Sequence, residues 1–161
     1  MATPSFDIPA RPPPLPVSRT CSFKSIPSTN TNILIDIYTP SSSSSATTDH
    51  DPAPIVLFIH GGGWTGSNRS DYSRPLFQSF LDLGFVVASM DYRLIPESSH
   101  LEQLEDVADV EAWLREDLPA VLGDSMERER KIVVVGASAG AQLALLTVSV
   151  MLKHHSLLFH Y

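Results

Sequence analysis

The hydrophobic positions of this chain follow two patterns that alternate along it. Short, largely continuous apolar runs predict strands at 33–39, 55–59, 85–90 and 131–135, with a weaker strand pattern at 18–25. Apolar residues spaced three and four apart predict helices from 70 or 71 to 83, over 101–118 and over 138–152. Because strands and helices alternate, the pattern predicts an α/β domain with a parallel-type sheet and helices on both faces.

Proline and glycine mark where several of these elements begin and end. Pro40 ends the strand at 33–39, and Pro75 falls in the first turn of its helix, where a missing N–H costs least. Gly84 is expected to stop that helix, and Pro119 to close the helix over 101–118.

Composition divides the chain into three parts. Residues 1–16 are rich in proline and have no apolar core of a signal peptide, so they predict a disordered, solvated arm. Residues 17–152 predict the folded domain, interrupted at 40–54 by a low-complexity surface loop. Residues 153–161 form an atypical C-terminal tail.

The uncharged stretch 132–152 is better explained by a strand, a glycine turn and a buried helix than by a membrane span. Without a signal peptide or a membrane span, the sequence predicts a cytoplasmic protein.

Charge and cysteine content narrow the classes of partner. The chain has 161 residues, enough for one domain with a core. Its 18 acidic and 11 basic residues give a net charge of −7, which argues against nucleic acid or an anionic membrane as partner. The single cysteine, Cys21, excludes an intrachain disulfide and a cysteine-based metal cluster. No metal or organic cofactor is predicted, and the oligomeric state stays open.

The most informative motif follows the strand at 131–135. The chain passes directly into Gly136-Ala137-Ser138-Ala139-Gly140 and then into a helix. A serine in a tight strand-to-helix turn presents its hydroxyl to a substrate, and glycines two residues away remove Cβ atoms that would clash. The motif therefore predicts Ser138 as a nucleophile, although a Gly-x-Ser-x-Gly sequence also occurs by chance in plain turns.

A second loop, His60-Gly61-Gly62-Gly63-Trp64, follows the strand at 55–59. Reactive groups in parallel sheets gather beyond the carboxyl ends of the strands, so the two loops would face one pocket if their strands are neighbours. Successive glycines allow backbone N–H groups to point at an oxyanion, and one such donor contributes about 3 kcal/mol to the transition state. The N–H of Ala139 would add a donor at a helix N-terminus.

Three motifs together resemble a known family. His60–Trp64, then Asp91-Tyr92-Arg93-Leu94-Ile95-Pro96-Glu97, then Gly136–Gly140 are similar to the α/β-hydrolase fold in its hormone-sensitive-lipase-like carboxylesterase branch. The resemblance extends over about residues 33–152. It implies a small-molecule ester substrate and a structural turn at Asp91–Glu97.

The resemblance also implies roles for single residues. Ser138 would be the nucleophile, and His60 would position the loop rather than act as a base. The oxyanion hole would be formed by Gly61, Gly62 and Ala139. Supporting positions on the same loops are Gly63 (also a further oxyanion candidate), Trp64 (pocket wall or packing, or alternatively a specific substrate contact), Gly136 and Gly140.

One departure from the family concerns the acid and the base, which its members place after the serine. Residues 139–161 contain no Asp or Glu, only His154, His155 and His160. At about 1.5 Å per helical residue, His154 would lie roughly 24 Å from Ser138, and His160 would need a fold-back of the tail. The sequence therefore predicts a hydrolase sheet truncated after the nucleophile turn and its helix, and inactive alone.

Three functional hypotheses stay open from the sequence. The first is a serine hydrolase of carboxylic esters that works through an acyl-enzyme at Ser138. The second is a non-catalytic small-molecule binder, or pseudoenzyme, on the same fold. The third is a non-functional truncated gene product.

Overall fold

The computed structural model describes residues 13–41, 52–124 and 129–156. Parts of the predicted arm (1–12), low-complexity loop (42–51) and tail (157–161, with His160) lie outside these ranges. The strands are β1 Arg19–Ile26, β2 Thr31–Tyr38, β3 Ile55–Ile59, β4 Val86–Met90 and β5 Ile132–Gly136. The helices are α1 Arg74–Asp82, α2 His100–Glu116, α3 Leu118–Leu122 and α4 Ala139–Ser156.

The five strands form one mixed sheet in the order β1-β2-β4-β3-β5. β4, β3 and β5 are parallel, as the alternation of strands and helices predicts. β1 and β2 pair antiparallel, and β2 also pairs antiparallel with β4. Only residues 27–30 join β1 to β2, which is too short for the crossover that a parallel pair requires. The parallel-type sheet therefore carries an antiparallel hairpin at one edge.

Both faces of the sheet are covered, and β3 shows this directly because all five of its residues are buried. Val56 and Phe58 face one side, where Phe77 of α1 packs against Phe58 with ring centroids 5.1 Å apart. The alternate residues of β3 join the larger cluster on the other side, which includes Leu114 of α2 and Leu143 of α4. Each such buried side chain contributes about 1.5–3 kcal/mol to folding.

Three helix boundaries differ from the sequence prediction. α4 continues to Ser156, past the predicted end at 152 and into the predicted tail at 153–161. α1 begins at Arg74 rather than at 70 or 71, because the side chain of Asn68 accepts a hydrogen bond from the N–H of Ser70 and forms a local turn. Pro119 does not close the helix over 101–118. That helix ends at Glu116, and the proline lies in the first turn of α3, where its missing N–H leaves no helical bond unmade.

Candidate active site

The glycine loop and the nucleophile turn meet at the carboxyl edge of the sheet because β3 and β5 are neighbours. Ile59 and Gly136, the last residues of these strands, are paired, and the N–H of Ala137 donates to the carbonyl of Ile59 at 3.0 Å. A Cβ atom placed on Gly61 would lie 3.3 Å from the Cβ of Ser138. The predicted juxtaposition of the two loops is therefore present.

The backbone of the turn around Ser138 is strained. Ser138 has φ +50°, a region that residues with a side chain rarely adopt, and it is exposed. A Cβ on Gly136 would come within 2.4 Å of the backbone of Gly140, and one on Gly140 would lie 2.2 Å from the carbonyl oxygen of Ile59. Both glycines are therefore required by close backbone approach.

The helix that follows adds a free donor to this turn. α4 begins at Ala139, directly after the serine. The first N–H groups of a helix have no acceptor within the helix, and the macrodipole favours negative charge there. The N–H of Ala139 therefore has no acceptor within its own helix, and it lies directly after Ser138.

The glycine loop curls tightly at one glycine and is open at the next. Gly62 has φ +102°, and its carbonyl accepts from the N–H groups of Thr65 at 3.2 Å and Gly66 at 3.1 Å. A Cβ on Gly62 would lie 2.1 Å from the carbonyl oxygen of Gly66. Gly63 has φ +60°, but nothing lies within 4 Å of its Cβ position. Gly62 is thus constrained by both space and conformation, and Gly63 by conformation alone.

Two stacked rings hold the base of the glycine loop. His60 is 1% exposed, and its ring lies 4.3 Å from that of Tyr92 at an interplanar angle of 14°. Its Nδ1 donates to the carbonyl of Gly61 at 2.8 Å, since a carbonyl can only accept. Burial lowers the pKa of His60 below its ordinary value, so the ring is neutral at pH 7.

The hydroxyl of Tyr92 acts on the same backbone. It donates toward the carbonyls of His60 at 3.1 Å and Gly61 at 3.2 Å. Burial raises the pKa of Tyr92 to about 12, so the phenol stays protonated. The sequence predicts only a structural turn at Asp91–Glu97, and no residue pattern there singles out the hydroxyl of Tyr92.

Trp64 anchors the other end of the glycine loop. Its half-buried ring packs against the larger core cluster and meets the ring of His100 edge-on at 6.1 Å. Its carbonyl accepts from the N–H of Ile95 at 2.9 Å and from Nε2 of Gln103 at 3.0 Å. Trp64 therefore has packing contacts, and whether it also contacts a substrate stays a prediction.

No base pairs with Ser138 among the described residues. The two histidines whose side chains are described are engaged elsewhere, His60 with Gly61 and His100 with Gln103 at 3.1 Å. His154 and His155 belong to α4. A continuous helix from 138 to 154 extends about 24 Å, at about 1.5 Å per residue. α4 therefore carries both histidines away from the serine, as the sequence predicts.

An open groove of about 260 Å³ lies beside the glycine loop, lined among others by His60, Asn68, Asp91 and Tyr92. The carboxylate of Asp91 is already paired with the guanidinium of Arg69 at 2.6 Å.

Across residues 13–41, 52–124 and 129–156 there is no group of three His, Cys, Asp or Glu residues that could hold a metal ion. None of the helices in these ranges has the length and hydropathy to cross a membrane.

Comparison with known families identifies this arrangement. The BD-FAE family model matches residues 35–156, which include both loops and the helix after Ser138. The chain belongs to the BD-FAE family. Its α/β-hydrolase fold and its place in the hormone-sensitive-lipase-like carboxylesterase branch are confirmed, since solved esterases share the same fold.

Two solved structures illustrate the likeness of this BD-FAE chain to esterases. A thermophilic esterase of Thermogutta terrifontis, Est2, matches with a TM-score of 0.64 and 27% identity over 83% of this chain and 44% of that one. A bacterial heroin esterase matches with a TM-score of 0.67 and 26% identity over 85% of this chain and 40% of the other. The chain thus spans less than half the length of these esterases.

Curated relatives of this BD-FAE chain come from fungal polyketide synthases. A non-reducing polyketide synthase of Aspergillus novofumigatus is 38% identical over 117 residues, which cover 70% of this chain and 5% of the synthase. One of Emericella nidulans is 38% identical over 119 residues, or 71% of this chain and 4% of the synthase. The chain therefore corresponds to a small part of each of these proteins.

Proposed function

We propose that the chain carries the nucleophile and the oxyanion hole of a carboxylic ester hydrolase, with Ser138 forming an acyl-enzyme. The observation that carries the proposal is the exposed Ser138 at φ +50° beside the glycine loop. Membership of the BD-FAE family and the likeness to Est2 and heroin esterase support ester hydrolysis as the reaction.

The proposed reaction has two halves. The Oγ of Ser138 attacks the carbonyl carbon of the ester, and its proton passes to a base outside the described residues. The carbonyl oxygen becomes an oxyanion, which accepts from backbone N–H groups of Gly61, Gly62 and Ala139. The alcohol leaves with a proton, and water then hydrolyses the acyl-enzyme and restores the serine.

Organophosphates provide a probe that needs no knowledge of the natural ester. Est2 of Thermogutta terrifontis has been solved phosphorylated by paraoxon and with propionate bound. Backbone donors that stabilise an ester oxyanion would also stabilise the charge that develops on the phosphoryl oxygen of paraoxon. Ser138 should therefore react with paraoxon faster than the other serines of the chain.

The test is covalent labelling of the purified chain by paraoxon, followed by intact mass and peptide mapping. We expect one diethylphosphoryl group per chain, located on Ser138, and no label in Ser138→Ala. Ser79→Ala, which removes an exposed hydroxyl on α1, is the matched control and should be labelled like the wild type. An unlabelled wild type, or a label spread over several serines, would reject the hydrolase and favour a non-catalytic binder.

A second candidate function differs in the substrate from which Ser138 takes the acyl group. Two polyketide synthases are 38% identical to this chain over about 70% of its length. The second candidate is therefore that Ser138 accepts a polyketide acyl group, carried as a thioester rather than as an oxygen ester. Acylation of Ser138 by a matched pair of activated substrates, one thioester and one oxygen ester of the same acid, separates the two: faster acylation by the thioester favours the second candidate.

A further inference from the structure

Tyr92 is buried against the backbone that lies beside Ser138. It is 4% exposed and lies two residues after the end of β4, with its ring stacked on that of His60. A phenylalanine would fill the same space, so packing alone does not require the hydroxyl. That hydroxyl lies 3.1 Å and 3.2 Å from two successive carbonyl oxygens, those of His60 and Gly61.

The carbonyl of Gly61 is held by two donors at once. Tyr92 approaches it from the loop after β4, and Nδ1 of His60 approaches it at 2.8 Å. The peptide between Gly61 and Gly62 is trans, so its C=O and N–H point in opposite directions within one plane. Fixing the carbonyl therefore also fixes the direction of the Gly62 N–H.

That N–H is one of the proposed oxyanion donors, and the glycines on either side of its peptide have no side chain that could hold it. Stabilisation of an oxyanion depends on donors that already point at the developing charge before the reaction. Any contact that prevents rotation of the Gly61–Gly62 peptide thus acts on the transition state without touching the substrate.

We propose that Tyr92 is a positioning residue of the oxyanion hole, and that its hydroxyl holds the Gly61–Gly62 peptide in the orientation that aims the Gly62 N–H at the oxyanion. The proposal rests on the proposed hydrolase function of Ser138. Because burial keeps the phenol protonated, the contact persists across the pH range of ordinary assays.

The test compares Tyr92→Phe with Tyr72→Phe. Tyr72 is also a buried tyrosine whose hydroxyl contacts backbone, the N–H of Leu15 at 3.3 Å, but it lies in the aromatic cluster on the other face of the sheet. We expect Tyr92→Phe to slow paraoxon labelling of Ser138 by about 10–100-fold, a part of the loss seen when one oxyanion donor is removed. Tyr72→Phe should stay within about twofold of the wild type.

A second readout separates positioning from general loss of structure. A trifluoromethyl ketone adds to the serine and forms an oxyanion, whereas the corresponding alcohol cannot. Tyr92→Phe should weaken binding of the ketone at least tenfold and leave binding of the alcohol within about twofold of the wild type. Equal weakening of both ligands would overturn the positioning role.

A pair of His60 variants keeps the proposal testable if Tyr92→Phe does not fold. The amide nitrogen of asparagine can occupy the place of the histidine Nδ1, and that of glutamine the place of Nε2. His60→Asn should therefore keep a donor to Gly61 and label faster than His60→Gln. Equal rates in the two variants would show that the Gly61 carbonyl needs no fixing and would overturn the inference.

The outcomes separate this inference from the hydrolase function. If wild-type Ser138 is not labelled, the proposed function fails and the role of Tyr92 fails with it. If the wild type is labelled and Tyr92→Phe is labelled at the same rate, only the positioning role is overturned.

Discussion

Two loops lie side by side at the carboxyl edge of the sheet, and they are built in opposite ways. The glycine loop, residues 60–64, contains three residues with positive φ, namely Gly62, Gly63 and Trp64, and Ser67 shortly after it is a fourth. The loop after β4, residues 91–99, has none. Side chains tie the second loop to the rest of the fold, through Asp91 to Arg69 and through Arg93 to α2. One loop offers backbone groups, and the other supplies charged and polar anchors.

Several contacts join the two loops, and most run from side chains of the second loop or of α2 to backbone of the first. Tyr92 donates to the carbonyls at the start of the glycine loop, and Gln103 donates to the carbonyl of Trp64 near its end. Asp91 accepts from the backbone N–H of Arg69, just after the loop, at 2.8 Å. A loop with three successive glycines has few side chains for anchoring, so contacts from the neighbouring loop and from α2 hold it.

The strongest anchor of the second loop is Asp106 of α2, whose side chain is fully buried. It accepts from the backbone N–H of Arg93 at 2.9 Å and from the guanidinium of the same residue at 2.8 Å, and it pairs with Lys24 of β1 at 2.8 Å. Buried ion pairs do not guarantee stability, but removal of one partner is costly because it leaves charges unpaired.

The largest effect on this comparison is expected from Asp106→Ala. The variant leaves Arg93 and Lys24 without their shared buried carboxylate, which should lower the free energy of unfolding by about 3 kcal/mol. The lower end of the usual range applies because both cations are partly exposed and Arg93 keeps Glu102 at 2.7 Å. Urea unfolding followed by circular dichroism measures the change.

Glu105→Ala is the matched control for that experiment. Glu105 touches Arg93 at 3.4 Å from the rim of the same network, with its side chain 64% exposed. Exposed ion pairs contribute about 0–1 kcal/mol, so this variant should unfold with nearly the wild-type free energy. If both variants lost the same amount, the second loop would not be anchored through its buried carboxylate.

A smaller effect in free energy, but a direct one on reactivity, is expected inside the glycine loop. In Gly62→Ala the new Cβ meets the carbonyl oxygen of Gly66 at 2.1 Å, so the loop must shift and displace its N–H donors. Labelling of Ser138 by paraoxon should slow by about 100-fold, close to the loss of one oxyanion donor.

Gly63→Ala provides the comparison at the next position. Its Cβ meets nothing within 4 Å, and only the positive φ of 60° opposes the change, at a cost of about 1 kcal/mol. Labelling should slow by less than tenfold. If the two variants lost reactivity equally, conformational freedom rather than space would be what the glycine loop requires.

Much of the fold could be predicted from the sequence because its core strands are locally encoded. The apolar runs at 55–59 and 85–90 correspond to β3 and β4, and the run at 131–135 to β5 shifted by one residue. The strand order could not be predicted, since the antiparallel pairing of β2 with β4 joins segments about 50 residues apart and depends on contacts with no local signal.

The candidate site shows the same division. Positions where the backbone approaches another segment closely are occupied by glycine, so Gly62, Gly136 and Gly140 could be predicted as site positions from the sequence. The side chains that hold the two loops in place have no comparable signal in the sequence. The hydroxyl of Tyr92 and the carboxylate of Asp106 matter only because chain folding brings them to particular carbonyls and cations, and the prediction of a parallel sheet does not specify these contacts.

The smallest expected effect is a pH dependence that distinguishes the two loops. Burial lowers the folded-state pKa of His60 in the glycine loop, whereas in the unfolded chain it titrates near its ordinary value of 6.5. The unfolded state therefore binds more protons below about pH 6.5, and the free energy of unfolding falls as the pH drops from 7 toward 5, by at most about 1.4 kcal/mol per pH unit. His60→Asn should remove this slope. At the start of α2, hydrogen bonds from Ser99, the last residue of the second loop, lower the pKa of Glu102 below its usual 4.5, so the contribution of Glu102 to stability is lost only at more acidic pH. Urea unfolding of both proteins between pH 5 and 7 measures the difference, and parallel curves would show that His60 is not held neutral by the fold.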